Sequence, residues 1–237
     1  MPDAAQIAMF DALMRARRSI RGFKPDPVAP AVLDAIFTTA QHAPSNCNVQ
    51  PWIVHVVSGP MIARLRDHLY TAVKAGAAPS PDFPLTGSYP GAYRTRQIGA
   101  AVALFDATGV ARDDRPARAA SMLRNFQFFD APHAALLFMP DWAGWREAAD
   151  CGMYAQSLML AMAAHGVGSC AQGALSHFAA IIREELGVTP DHKLLFGLSF
   201  GYPDNAHPAN AARTDRAALT EAVVFHHDVG AVQHEQR

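Results

Sequence analysis

Ile7, Phe10, Leu13 and Met14 recur at helical spacing within residues 5 to 18, so the chain opens on an amphipathic helix. Val32, Leu33, Ile36, Phe37 and Ala40 repeat that pattern behind Pro30, and Ile62, Leu65, Leu69 and Val73 repeat it again. Between them IVHVV, residues 53 to 57, is β-branched and reads as a strand. Two more helical patterns span 94 to 108 and 116 to 128, and AALLFM at 134 to 139 reads as a second strand. Glu147 to Ala164 is helical and apolar on most sides, which predicts burial on most sides. A helix over His177 to Leu186 is closed by Gly187, and LLFGLSF at 194 to 200 is a strand ended by the turn GYPD. No linker or repeat divides the interleaved elements. They predict one α+β domain over residues 1–237, a sheet of few strands covered by several helices. A helical excursion at about 78–130 opens with the Pro- and Gly-rich APSPDFPLTGSYPGAY, and a C-terminal extension begins at about 204.

Composition narrows the partners. Half the residues are hydrophobic, 17% are charged, and the formal net charge is −1. The basic residues form no run of four, which argues against nucleic acid or an anionic membrane as the main partner. Cys47, Cys151 and Cys170 are odd in number and form no CxxC pair, which argues against a disulfide framework or a zinc site and fits a reducing cytoplasm. MPDAAQIAMFDAL lacks the basic region of a signal peptide, and the apolar run Ala155 to Ala164 is too short to span a membrane.

The chemistry is distributed. GVGSCAQGAL at 166 to 175 completes neither a dinucleotide fingerprint nor a P-loop. His226 and His227 read as a surface pair. RRSIR places Arg17, Ser19 and Arg21 at a helix-to-loop junction, and RTDR places Arg213 and Arg216 in the tail. A phosphate monoester is held by guanidinium forks and a hydroxyl donor, although solvated surface charge is the plainer use of such clusters. APSNCNVQPW, residues 43 to 52, holds Ser45, Asn46, Asn48 and Gln50 between Pro44 and Pro51. Neutral amides can read a flat heterocycle edged with donors and acceptors, or satisfy their own loop backbone. The residues alone leave both uses open.

Taken in order, RRSIRGF, APSNCNVQPWIVHVV, GVGSCAQGAL, LGVTPDHKLLFGLSFGYPD and an Arg-x-x-Arg tail resemble the flavin-dependent nitroreductase family. YRTRQIGAAVALFDATG and MLRNFQFFDAP resemble its nitrobenzoate- and nitroarene-reducing branch. The resemblance implies a nitroreductase-like fold with a small mixed sheet, an interlocked homodimer, and FMN bound at the subunit interface. It implies that Arg17, Arg18, Ser19, Arg21, Arg213 and Arg216 hold the FMN phosphate. Pro44, Ser45, Asn46, Asn48 and Gln50 would approach the flavin and its ribityl chain. Asn125, Gln172 and Gly173 would lie beside the ring, with the Gly173 N–H near flavin N5 and no side chain acting as acid or base. NADH or NADPH would deliver hydride through N5 to a small planar nitroaromatic acceptor in a ping-pong cycle. A quinone, enone or free flavin as acceptor, or a non-redox flavin-binding protein, are the alternatives. Tyr89, Tyr93, Phe126 and Phe128 are candidates for the acceptor wall, although core packing is the plainer use of each aromatic taken singly. Trp52 is expected in the core, and Cys47 and Cys170 as small packed residues.

Overall fold

The computed structural model describes residues 3–226. Helix α1 spans Ala4–Ala16, α2 Pro30–Ala40, α3 Gly59–Lys74, α4 Gly91–Thr108, α5 Arg115–Leu123, α6 Trp145–Ala164, α7 Ala179–Leu186 and α8 Leu219–Ala222. The strands are β1 Ile53–Ser58, β2 His133–Pro140, β3 Gly168–Gln172 and β4 His192–Gly201. Their order is β1-β2-β4-β3. Each adjacent pair is antiparallel, so the four strands do not form the expected mixed sheet. The parallel pairing present is an isolated bridge between Ser19 and Ser169.

The central strand β2 is buried on both faces from His133 to Met139, as its unbroken apolar run requires. One layer of core joins Ile36 of α2, Tyr154 and Leu158 of α6, Leu137 and Phe200. The opposite layer joins Leu65 and Leu69 of α3 to Leu136, Phe138, Phe178 and Ile182. Trp52 lies in the first layer as expected, stacked on Tyr154 with ring centroids 4.9 Å apart. At the head of β2, buried His133 stacks on Phe200, accepts the Val28 N–H at Nε2 (2.8 Å), and meets Ser58 Oγ with Nδ1 at 2.5 Å. Burial lowers the His133 pKa, and these contacts fit a neutral ring carrying its proton on Nδ1.

The structure departs from the sequence reading at four places. β3 lies in GVGSCAQGAL, where no element was assigned; its small residues carry no strand signal, and pairing to β4 makes it one. The helix expected over 116–128 stops at Leu123. Residues 124–130 then form a tight turn in which Phe128, Phe129 and Asp130 take left-handed backbone angles. That reversal sends Phe126 and Phe128 into the core rather than to an acceptor wall, while Tyr89 and Tyr93 are exposed. Helix α6 is not buried on most sides. It covers Cys151, Tyr154, Leu158 and Met162 but leaves Met153 exposed.

The excursion is pinned where it leaves the core. The Ser80 N–H donates to His177 O at 2.7 Å, and the Asp82 carboxylate accepts from Arg183 and from the Leu194 N–H. Beyond that anchor, residues 84–102 are exposed throughout. Among the described residues no helix is long and apolar enough to cross a membrane. Of the histidine pair, His227 lies outside the described residues.

Candidate functional site

The two arginine clusters meet. After α1 the backbone of Arg17 turns extended, and the following residues run beside β3, with the Ile20 N–H donating to Ser169 O at 2.9 Å. In an extended chain alternate side chains share a side. Ile20 is buried against β3, so Arg17, Ser19 and Arg21 turn the other way. The tail comes back along the same segment: Phe23 bridges Pro203, and the Lys24 N–H donates to Tyr202 O. A short 3-10 turn at Pro208–Ala211 then delivers Arg213 and Arg216. Arg15, Arg17, Arg18, Arg21, Arg213 and Arg216 line one cavity of about 640 Å³ with Ser19, and Asp11 is the one carboxylate among its lining residues.

Desolvation and the nearby Arg213 charge both lower the Arg18 pKa. Arg18 and Arg213 both donate to the Asn210 carbonyl. The Arg17 guanidinium makes no hydrogen bond among the described residues, and that of Arg21 lies 6.0 Å from the Phe129 ring. Like charges gathered with so little acid nearby cost energy unless an anion joins them. Cys170 lies behind this cluster as a buried thiol. Desolvation raises its pKa against the opposing pull of Arg21, Ser19 and Arg17, so it stays protonated and packed as expected.

Gln172, Asn125 and Gly173 form a second group. Gln172 ends β3 with its amide buried, Nε2 donating to Asn125 O at 2.8 Å and Oε1 accepting from Ser199 Oγ. Both ends of that amide therefore have partners inside the chain. Asn125 donates in turn to Met122 O at 3.0 Å. Gly173 is exposed and opens a 3-10 turn, where the first N–H groups have no partner within the turn. A Cβ there would meet nothing within 4 Å, so the backbone can be approached closely.

The amide-rich loop lies apart from the arginine cavity, and none of its residues lines it. Both uses of its side chains occur. Ser45 Oγ accepts the Gln50 N–H at 2.9 Å and Gln50 Nε2 donates to Asn48 O at 3.1 Å, which maintains the loop. Asn46 and Asn48 are exposed, and the Asn48 amide makes no hydrogen bond among the described residues. Pro44 is also exposed. Cys47 is exposed rather than packed, on a left-handed backbone shared by Asn48 and Gln50.

Three site features escaped the sequence reading. Buried Asp150 on α6 accepts the Asn46 N–H with both carboxylate oxygens at 3.2 Å; its signal was an acid inside an apolar helix. Arg124 donates to Arg21 O at 3.3 Å and contacts His207 Nε2 at 3.0 Å, which ties the excursion to the first arginine cluster. Asn210 is buried between the two clusters, and nothing local marks it.

The sequence and the fold both have known relatives. Residues 14–202 match the model of the Nitroreductase family. The chain is 43% identical over 224 residues to nitroreductase NfnB of Mycolicibacterium smegmatis, covering 94% of each chain. It is 33% identical to nitrobenzene nitroreductase of Ectopseudomonas oleovorans, covering 92% of this chain and 97% of that one. A crystal structure of FMN-dependent NfnB from Mycobacterium smegmatis in complex with NADPH superposes with a TM-score of 0.89 at 42% identity. It covers 95% of this chain and 100% of that one. An FMN- and NADPH-dependent NfnB from Sphigopyxis sp. strain HMH superposes with a TM-score of 0.89 at 33% identity, covering 92% and 99%. With the family model spanning most of the chain and relatives matched along nearly their whole length, the chain belongs to the nitroreductase family, a family of oxidoreductases.

Proposed function

We propose that this chain is an FMN-dependent NAD(P)H nitroreductase that reduces small planar nitroaromatics. The observation that carries the reading is the joining of arginines from opposite ends of the chain around one cavity with a single carboxylate. A phosphate monoester dianion would relieve that accumulation of charge, with Arg17, Arg21, Arg213 and Arg216 as bidentate donors and the Ser19 hydroxyl as a further one. FMN carries such a phosphate, and the relatives' names and complexes supply the rest of the ligand class.

Bound FMN supplies hydride exchange at N5, from NAD(P)H in one half-reaction and to the nitro group in the other. The chain's own part is positioning. Gly173 presents an unhindered backbone N–H for the N5 edge, and Gln172 holds that backbone by anchoring its amide on Asn125 and Ser199. Asn46 and Asn48 present amides suited to a pyrimidine edge or a ribityl hydroxyl, with no charge to bury. Their loop does not line the arginine cavity of its own chain, which favours its serving the cavity of a second copy. Exposed Ile7, Phe10, Ile98 and Val102 favour the same homodimer, because a large apolar surface calls for a cover.

An anaerobic absorbance titration tests the proposal. The purified protein, supplied with FMN, should show an oxidised-flavin spectrum that NADPH or NADH bleaches and a nitroarene such as nitrobenzene restores. A bound flavin that neither nicotinamide bleaches would overturn the reductase reading. Absence of flavin binding after FMN addition would overturn the site.

A further inference from the structure

We infer that Asn210 is a positioning residue that assembles the phosphate-binding arginines from the two ends of the chain; this rests on the reading of the arginine cavity as an FMN phosphate site. Asn210 does not itself line the cavity. It is a buried polar side chain, 3% exposed, wedged between the RRSIRG segment and the tail. Its Oδ1 accepts the Arg21 N–H at 2.7 Å. Its Nδ2 donates to Gly22 O at 2.7 Å and to Asp204 O at 2.8 Å. Its backbone carbonyl accepts from Arg18 and from Arg213, the latter at 2.9 Å.

One residue therefore fixes the backbone at Arg21 and Gly22 and gathers the guanidiniums of Arg18 and Arg213. An amide suits this place because it is at once acceptor and double donor and carries no charge. An aspartate would set a second acceptor against the Gly22 and Asp204 carbonyls and a negative charge beside the phosphate. A leucine would leave the Arg21 N–H without its partner and strip one of the two hydrogen bonds accepted by each of the Gly22 and Asp204 carbonyls. The neighbouring packing is equally specific. A Cβ on Gly22 would lie 2.2 Å from His207 Cγ, so glycine at 22 lets the 207–211 turn seat and bring Asn210 into reach. Arg124 holds the Arg21 carbonyl from the other side, which leaves Asn210 to fix the Arg21 N–H.

The two flavins FMN and riboflavin, which differ in the phosphate, separate positioning from general stability. Wild-type protein should bind FMN well ahead of riboflavin. In Asn210→Ala the FMN affinity should fall on the order of tenfold or more, the scale of hydrogen bonds to a charged group loosened by misplacement. Riboflavin affinity should stay within about twofold. Asn210→Ser keeps one hydroxyl for the Arg21 N–H, and should fall between the two if the alanine variant folds. If the alanine variant does not fold, the serine variant carries the same comparison. Equal loss of both flavins would show a merely structural residue and overturn the inference, as would unchanged FMN affinity in a folded variant. A wild-type protein that binds both flavins alike would instead overturn the phosphate reading beneath it.

Discussion

Strand β2 and helix α4 are both rich in apolar residues, and their fates differ. From His133 to Met139 every residue of β2 is buried, between β1 and β4 and under helices on both faces. Helix α4 has eighteen residues and buries none, with Ile98 and Val102 each 48% exposed. Helix α1 is likewise without a buried residue. The sheet is finished by one chain, whereas the helices around the proposed flavin site are not. The finished region supplies a rigid frame. The unfinished one supplies surfaces that a cofactor and a second copy can complete.

The largest expected effect tests the finished side. Leu136→Ala removes a fully buried side chain from the centre of β2 and should cost about 2–5 kcal/mol in urea unfolding. A loss under about 1 kcal/mol would mean that the frame repacks easily and that the contrast is weaker than drawn. Next comes the site. Arg21→Ala should weaken FMN binding by about 1.5–3 kcal/mol in a fluorescence titration while leaving the fold intact. Unchanged affinity would remove Arg21 from the phosphate group.

Acid sharpens the comparison further. His133 has a folded-state pKa below its unfolded value because burial disfavours its charged form. Its contribution is whole above the unfolded value of about 6.5 and is lost as pH falls below it, because the unfolded chain then binds the extra proton. His55 and His207 are lowered by burial too, so they act in the same sense. The difference between wild type and His133→Gln, followed by chemical denaturation from pH 8 to 5, should isolate the His133 limb. Parallel curves would show that the ring is not held neutral. The smallest effect belongs to the unfinished side. Ile98→Ser should change the unfolding free energy of a subunit by no more than about 0.5 kcal/mol, yet lower the dimer fraction in sedimentation. A large loss of subunit stability would mean that α4 is supported by its own chain.

What could be read in advance follows the same division. AALLFM and LLFGLSF were legible as strands because one chain buries most of their residues, and IVHVV, of which only Val57 is buried, was legible through its β-branched composition. GSCAQ was not, because its strand character comes from its neighbour β4. The stop at Leu123 was hidden too, since the turn after it depends on where Phe126 and Phe128 find room. In the site, both arginine clusters stood out locally. Their convergence was implied only by the family resemblance, and Asn210 could not be read at all, because its Arg21 and Gly22 partners lie in a segment distant in sequence. The amide loop was legible as a loop, but the division of labour between Ser45 and Gln50 on one hand and Asn46 and Asn48 on the other needed coordinates.

The contact between Asn210 and Arg21 joins positions 189 residues apart. Closing so long a loop is entropically costly, and little of the proposed phosphate site exists before it closes. The cofactor therefore has little to grip in a half-folded chain. FMN should enter after the rate-limiting barrier to folding, acting as a clasp on the native state: it lengthens the lifetime of the folded protein without quickening its formation.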